Sequence, residues 1–157
     1  MTDLHLGERL HDVRRRIDAW IDALASDNPV IAAVDRGTSD DTPHGEPRWY
    51  VRMLGDEKDF ITVWLTLGQR TLRYETYVMP APEENHAELA ELLLRRNDSM
   101  VGAHFSIGGE DAVYLRGELP DVAVDSDELD RVLGTLYHTV EANFRALLRL
   151  GFASRFT

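Results

Sequence analysis

The apolar residues at the start of the chain recur at steps of three and four, which is the spacing of an amphipathic helix. Trp20 widens the narrow stripe that they form. Pro29 follows soon after the last apolar position, where a helix usually stops. The pattern predicts a helix over about residues 3–26, with an apolar stripe of Leu6, Leu10, Val13, Ile17, Ile21 and Leu24.

The period changes to two between residues 48 and 79. Three runs rich in β-branched and aromatic residues are joined by turns that contain glycine, which predicts an antiparallel meander. The runs are RWYVRML (48–54), DFITVWLTL (59–67) and TLRYETYVM (71–79). The apolar run VIAAV (30–34) is compatible with a short strand, but its pattern is too weak for it to be counted. Residues 35–48, rich in turn formers and charges, are predicted to form a flexible loop.

A helix over about 83–97 follows, then two strands over 102–107 and 111–119 that are joined by a tight GGE turn. Asp125 and Glu128 have the spacing of a helix cap, and they begin a C-terminal helix for which Gly151 is the expected C-cap. The predicted order is α-β-β-β-α-β-β-α. We therefore expect a single α+β domain over residues 1–157, with an antiparallel five-stranded sheet covered by helices.

Composition and charge narrow the possible functions. The chain has 157 residues, no cysteine and a formal net charge of −11. No apolar run is long enough to span a bilayer, and the N-terminus lacks a signal-peptide pattern. We expect a cytoplasmic protein without cofactor, disulfide or thiolate metal site. The negative charge argues against nucleic-acid binding, and Arg14–Arg16, flanked by aspartates, is better explained as a solvated helix face.

The stretch PEENHAEL (82–89) is the strongest candidate for chemistry, because three carboxylates and a histidine fall within six residues. A metal site on a helix needs a second ligand three or four residues from His86, and those positions are apolar. Asn85 as N-cap and Glu88 three residues later fit a capping box, so we interpret the stretch as a helix start. No catalytic, cofactor-binding or metal-binding residue is predicted. The alternative is a small-molecule sensor or weak hydrolase that uses Glu84, His86 or His104.

Aromatic residues mark one face of the predicted sheet. If Ile61, Val63, Leu65 and Leu67 face the helices, then Phe60 and Trp64 face away from them, and Tyr77 and Tyr114 can join the same face. An open aromatic face often marks an interaction surface. It predicts a homodimer or a bound partner segment that uses the sheet face or edge. The alternative, that these residues are individually exposed or covered by the long loop, stays open.

Four strings resemble the actinobacterial branch of the YbjN-like proteins. They are MPAPEENHAELAELLLRRN, FSIGGEDAVYLRGELP, DSDELDRVLGTLY and LGFASRF, and the resemblance covers about residues 49–157. It implies a fold similar to the class I type III secretion chaperones, which are small acidic dimers without enzymatic activity that hold an extended segment of a client. YbjN-like proteins are also described as sensory transduction regulators. The resemblance supplies no catalytic or binding residue.

Together these patterns predict a non-enzymatic homodimeric module, chaperone-like or regulatory, that binds an apolar segment of a partner protein. The acidic surface would favour basic partners.

Overall fold

The computed structural model describes residues 3–37 and 42–156. The predicted α+β class is confirmed, and most element bounds fall within three residues of the predicted ones. The helices are α1 (Asp3–Asp27), α2 (His86–Asp98) and α3 (Ser126–Gly151). The strands are β1 (Ile31–Gly37), β2 (Arg48–Leu54), β3 (Phe60–Leu67), β4 (Thr71–Met79), β5 (His104–Ile107) and β6 (Val113–Pro120).

The sheet has six strands in the order β1-β2-β3-β4-β6-β5, so the prediction of five strands was wrong. The missed strand is β1, which pairs with β2 at the edge of the sheet. Its register shifts between Ile31 and Ala33, and both Val34 and Ile31 are only half-buried. A bulged edge strand does not alternate cleanly between apolar and polar residues, so periodicity alone did not identify it.

The predicted flexible loop over residues 35–48 is shorter in the structure. Asp35 to Gly37 belong to β1 and Arg48 begins β2. Residues 38–41 lie outside the described residues. After them, the chain turns back to the sheet: the Thr42 hydroxyl donates to the Glu46 carbonyl at 3.0 Å, and the Leu67 N–H donates to the Pro47 carbonyl at 3.0 Å.

Helices pack against one face of the sheet, and the core lies between the two layers. Contacts place α1 against β1, α3 against β3 and β4, and α2 against β5. Side chains alternate along the central strands: Ile61, Val63, Leu65 and Leu67 of β3 are buried, as the period of two requires. From α3 the core receives Leu129, Val132, Leu133, Leu136, Val140 and Leu147. In the described part of the chain, no helix combines the length and apolar character that a bilayer crossing requires.

Asp18 ties α1 to the sheet. Its Oδ1 accepts hydrogen bonds from Trp49 Nε1 at 2.8 Å and from Arg36 Nε at 2.8 Å. Burial raises the pKa of Asp18, but these hydrogen bonds and the Arg36 charge outweigh burial and hold that pKa below its ordinary value. Trp20 Nε1 donates to Asp130 Oδ1 at 2.8 Å and connects α1 to α3 in the same way. Both tryptophans therefore combine core packing with one satisfied polar group.

The helix caps were predicted with mixed success. The cap of α3 is confirmed, since the Glu128 N–H donates to Asp125 Oδ1 at 2.9 Å. The capping box at α2 was wrong: Asn85 is the N-cap residue, but its side chain does not cap the helix. Its amide Nδ2 instead donates to the Leu150 carbonyl at 2.9 Å, because the end of α3 lies beside the start of α2. Phe152, rather than Gly151, is the C-cap of α3.

The β5–β6 hairpin is confirmed, but its turn has unusual chemistry. The turn Gly109–Asp111 places Glu110 at φ 59° and Asp111 at φ 58°. The Ala112 N–H closes the turn on the Gly109 carbonyl at 3.2 Å. Two consecutive positive φ angles are the geometry of a type I′ turn, which normally uses Asn-Gly. The turn therefore holds two residues in a conformation that costs free energy.

Candidate interaction face

In the described residues, no helix packs on the opposite face of the sheet, which we call the open face; Thr42, Pro43 and Glu46 border it at one end. Its outward side chains come from the alternate positions of each strand. They are Ala33 and Asp35 of β1; Arg48, Tyr50, Arg52 and Leu54 of β2; Phe60, Thr62, Trp64 and Thr66 of β3; Arg73, Glu75 and Tyr77 of β4; Tyr114, Arg116 and Glu118 of β6; and His104 and Ser106 of β5.

One row of the open face crosses all six strands. Successive cross-strand partners are Asp35, Tyr50, Trp64, Glu75, Arg116 and His104. Five spacings of roughly 4.8 Å make this row about 24 Å long. Directly opposed side chains interact across the strands, so the row forms a continuous strip of aromatic and charged groups.

The structure places all four predicted contact residues on the open face. Phe60 and Tyr77 are each 41% exposed, whereas Trp64 and Tyr114 are half-buried. Tyr77 packs edge-to-face on Tyr114 with ring centroids 5.7 Å apart, and Trp64 lies 5.1 Å from Tyr50. Their role as contact residues stays a prediction.

Arginines stack on these aromatic rings, which sequence reasoning missed. The guanidinium carbon of Arg48 lies 4.2 Å from the Trp64 ring centroid, that of Arg52 3.8 Å from Phe60, and that of Arg116 4.3 Å from Tyr114. Each stacked arginine covers part of an aromatic ring, and Arg48 and Arg116 also face the carboxylate of Glu75. The signal was present in the sequence, because Arg48 and Arg52 alternate with the buried residues of RWYVRML and so share the face of Trp64.

One end of the open face deepens into a cleft of about 830 Å³, which we call the arginine cleft. Its charged lining residues are Glu46, Arg48, Arg73, Glu75, His104, Arg116 and Glu118. Glu75 lies between two arginines, with Oε2 2.7 Å from Arg116 Nε and Oε1 3.7 Å from Arg48 Nη2. In the described ranges, Arg73 forms no ion pair although Glu118 is its cross-strand partner. The cleft therefore contains charged groups that are paired with each other, such as Glu75 and Arg116, beside Arg73, which is not in an ion pair among the described residues.

The opposite end of the open face carries aromatic side chains. Lys58, the single lysine of the chain, contacts one of them. Lys58 Nζ donates to the Tyr77 carbonyl at 2.6 Å and lies 5.2 Å from the Tyr77 ring centroid. Burial lowers the pKa of Lys58. The pKa of Tyr77 is raised, first by burial and then by Tyr114 and Glu110. Burial is the first cause of both pKa shifts, so this cluster is partly desolvated.

The stretch PEENHAEL attaches α2 to the end of α3. The N–H groups of Glu83 and Glu84 donate to the Gly151 carbonyl at 2.9 and 3.1 Å. Glu84 Oε1 accepts from the Ser154 N–H at 2.6 Å, and Glu83 forms an ion pair with Arg155. Hydrogen bonds from the Ser154 backbone and side chain lower the pKa of Glu84. These carboxylates thus have structural partners that account for their position.

Glu84, His86 and His104 are not brought together. His86 is exposed and, among the described residues, forms no hydrogen bond or ion pair. His104 lies in the arginine cleft. The far end of α2 is held beside β5, where Asn97 Nδ2 donates to the Phe105 carbonyl at 3.0 Å. At a rise of about 1.5 Å per residue, His86 lies about 16 Å from Asn97 along the helix.

Two of the three arginines at positions 14–16 have separate partners among the described residues. Arg15 pairs with Asp12, and Arg16 Nη1 donates to the Val124 carbonyl at 3.3 Å. Within residues 3–37 and 42–156, no three His, Asp or Glu side chains are grouped so that they could hold a metal ion.

A family model matches residues 14–149 and carries the name YbjN and the description "Putative bacterial sensory transduction regulator". The chain belongs to the YbjN family. An uncharacterized protein of Mycobacterium tuberculosis is 38% identical over 108 residues, which are 69% of this chain and 59% of that protein. An uncharacterized protein of Mycobacterium leprae is 34% identical over 112 residues, which are 71% of this chain and 61% of that protein. The chain thus spans less than two thirds of the length of these curated relatives.

Among solved structures, this YbjN-family chain is similar to a chain of the heterodimeric ExoU–SpcU complex from the type III secretion system of Pseudomonas aeruginosa. The TM-score is 0.52 at 15% identity, over 83% of this chain and 96% of that one. This similarity confirms the expected secretion-chaperone-like fold. At this level of identity it concerns the fold alone.

Proposed function

We propose that this YbjN-family protein is a non-enzymatic binding module, chaperone-like or regulatory, that holds an extended segment of a partner protein on its open face. The observation that carries the proposal is the array of aromatic rings and stacked arginines on that face. Trp, Tyr, Phe and Arg are the residue types enriched in the cores of protein interfaces and among their hot spots. The family description and the heterodimeric origin of the similar structure support the same class of function.

The dimensions of the open face suit an extended chain. The row from Asp35 to His104 measures about 24 Å, which an extended segment of roughly seven residues would cross. Such a segment could pack apolar side chains on Trp64 and Tyr114 while its carbonyl groups accept hydrogen bonds from Arg73, which lines the cleft. No enzymatic step is needed, and the separation of Glu84 and His86 from His104 supports a binding role.

A homodimer is the second part of the proposal. It is supported by the resemblance to dimeric secretion chaperones and by the edge of the sheet, where β1 pairs with β2 on one side only. Sedimentation equilibrium at tens of micromolar should show a dimer. A monomer at that concentration, unchanged by Trp64→Ala, would remove the dimer from the proposal and leave segment binding in place.

Affinity capture with matched variants tests partner binding through the open face. The wild-type protein would be compared with the double variant Trp64→Ala/Tyr77→Ala and with Val122→Ala, which removes an apolar side chain that is 68% exposed on the turn after β6. We expect at least one partner protein to be captured by the wild type and by Val122→Ala. The double variant should not capture it. The same set of proteins on all three would contradict the proposal.

A further inference from the structure

We infer that the groove between α1 and α3 is a second docking site, and that it takes an amphipathic helix of a partner protein with basic residues beside its apolar stripe. The groove lies on the helical side of the molecule, away from the open face. Its volume is about 950 Å³. This inference does not depend on the proposed role of the open face.

The groove is apolar at its floor and acidic at its rim. Its lining includes Leu24 of α1, Met53 of β2, Leu133 of α3 and Tyr137 of α3. Leu24 and Tyr137 remain half-buried, so apolar surface faces solvent between the two helices. A groove lined by two helices and floored by a strand accepts one apolar face of a third helix, which anchors through residues at helical spacing.

Gly134 is the decisive residue. It lies in the middle of α3, is exposed and lines the groove. A Cβ atom built at this glycine would meet no heavy atom within 4 Å, the backbone of its own helix aside. Glycine is the least favourable residue in a helix interior apart from proline. Its own fold therefore gives no reason for a glycine here, whereas a helix seated in the groove would need the close approach that it permits.

Charge identifies the occupant. Among the described residues, the charged lining of the groove consists of Asp125, Asp130 and Arg16, so that two carboxylates stand against one guanidinium. The chain carries a net charge of −11. A helix with lysine or arginine beside its apolar stripe complements this rim, whereas an acidic helix would be repelled. A second copy of this acidic chain is a poorer occupant for the same reason.

Binding of model peptides tests the inference. The probes are a labelled 17-residue peptide of leucine and lysine with helical periodicity, its leucine–glutamate counterpart, and a scrambled leucine–lysine peptide. The protein variants are Gly134→Trp, which fills the groove, and Ala146→Trp, which adds the same ring at an exposed position of α3 outside the groove. Fluorescence anisotropy at physiological salt gives the affinities, and circular dichroism checks that each variant is folded.

We expect the wild type and Ala146→Trp to bind the periodic leucine–lysine peptide more tightly than the other two peptides. Gly134→Trp should weaken that binding about tenfold or more, equivalent to about 1.4 kcal/mol. Equal binding by Gly134→Trp and Ala146→Trp would overturn the inference, because contact elsewhere on the acidic surface would then explain the affinity. Failure of the wild type to prefer the periodic basic peptide would also overturn it.

The two docking sites can be separated with the same proteins. Trp64→Ala/Tyr77→Ala should retain binding of the periodic leucine–lysine peptide, since those residues lie on the other side of the sheet. Gly134→Trp should still capture any partner that requires the open face. Loss of one activity without the other identifies which of the two proposals has failed.

Discussion

The carboxylate of Glu84 accepts a hydrogen bond from the Ser154 N–H at 2.6 Å, so the segment before α2 is bound to the chain that follows α3. The bond joins residues that are seventy positions apart in sequence. The acidic cluster that first suggested chemistry therefore has a structural role, in which two distant segments are held together by charge-assisted hydrogen bonds.

Acid should weaken this connection. The pKa of Glu84 is lowered in the folded protein by the Ser154 hydrogen bonds, so its stabilising contribution is present above its unfolded pKa, near 4.3, and is lost as the pH falls through the folded value. Glu84→Gln should be less stable than the wild type at pH 7, and the difference should shrink below about pH 4. Urea unfolding at pH 7, 5 and 3.5 measures it. Glu8→Gln, at an exposed site on α1, is the control, and a pH-independent difference for Glu84→Gln would contradict the assignment.

The strained hairpin turn offers a stabilising substitution. Glu110 and Asp111 both have positive φ angles, which glycine and asparagine adopt more readily. The double substitution Glu110→Asn/Asp111→Gly should raise the free energy of unfolding by about 1 kcal/mol. Urea unfolding of the variant beside Gln69→Asn, a surface change in the turn between β3 and β4, measures the effect. An unchanged or lower stability would mean that the native side chains of this turn compensate for its strain.

Gly134 should lower the stability of the isolated protein relative to alanine at the same position. Its replacement by alanine extends a helix without a steric clash, so Gly134→Ala should raise the free energy of unfolding by about 0.5–1 kcal/mol. The reference is Gly151→Ala, where the new Cβ would lie 3.0 Å from Cβ of the rigid Pro82 ring and 2.9 Å from Met79 Cε and should destabilise the protein. Thermal and urea unfolding of both variants check the opposite signs. A loss of stability at Gly134 would show that the fold itself needs this glycine.

Aromatic residues on the open face should add little to stability. Phe60 and Tyr77 are substantially exposed, and a cation–π contact at an exposed site is worth about 0.5–1 kcal/mol. Phe60→Ser and Tyr77→Ser should each change the free energy of unfolding by no more than about 1 kcal/mol, whereas Leu65→Ala in the core should cost about 2–5 kcal/mol. Denaturant unfolding compares them. Core-sized losses at Phe60 and Tyr77 would indicate that these rings serve the fold.

Periodicity predicted the elements that are buried on one side. The strand RWYVRML was placed within its observed bounds, because Trp49, Val51 and Met53 point into the core and their neighbours do not. The edge strand β1 lacks such a contrast and was not counted. The face that carries Phe60, Trp64, Tyr77 and Tyr114 followed from the same alternation, which fixes the side of a strand but not what covers it.

Features that depend on contacts between distant elements could not be predicted from the sequence. Asn85 has the right identity for an N-cap, yet the neighbouring carbonyl of Leu150 takes its amide instead. The groove beside Gly134 exists because of the spacing between α1 and α3, and a helical repeat in each of them does not determine that spacing. The arginine stacking likewise depends on which strands become neighbours.

The strip from Asp35 to His104 takes a single residue from each of the six strands. A slip of one residue in any strand would turn that strand's contribution into the core and break the strip, even where the helices still form. Recognition through this face would therefore require that the whole sheet has folded in the correct register. A copy with one misregistered strand would retain much of its helical content but would not bind its partner.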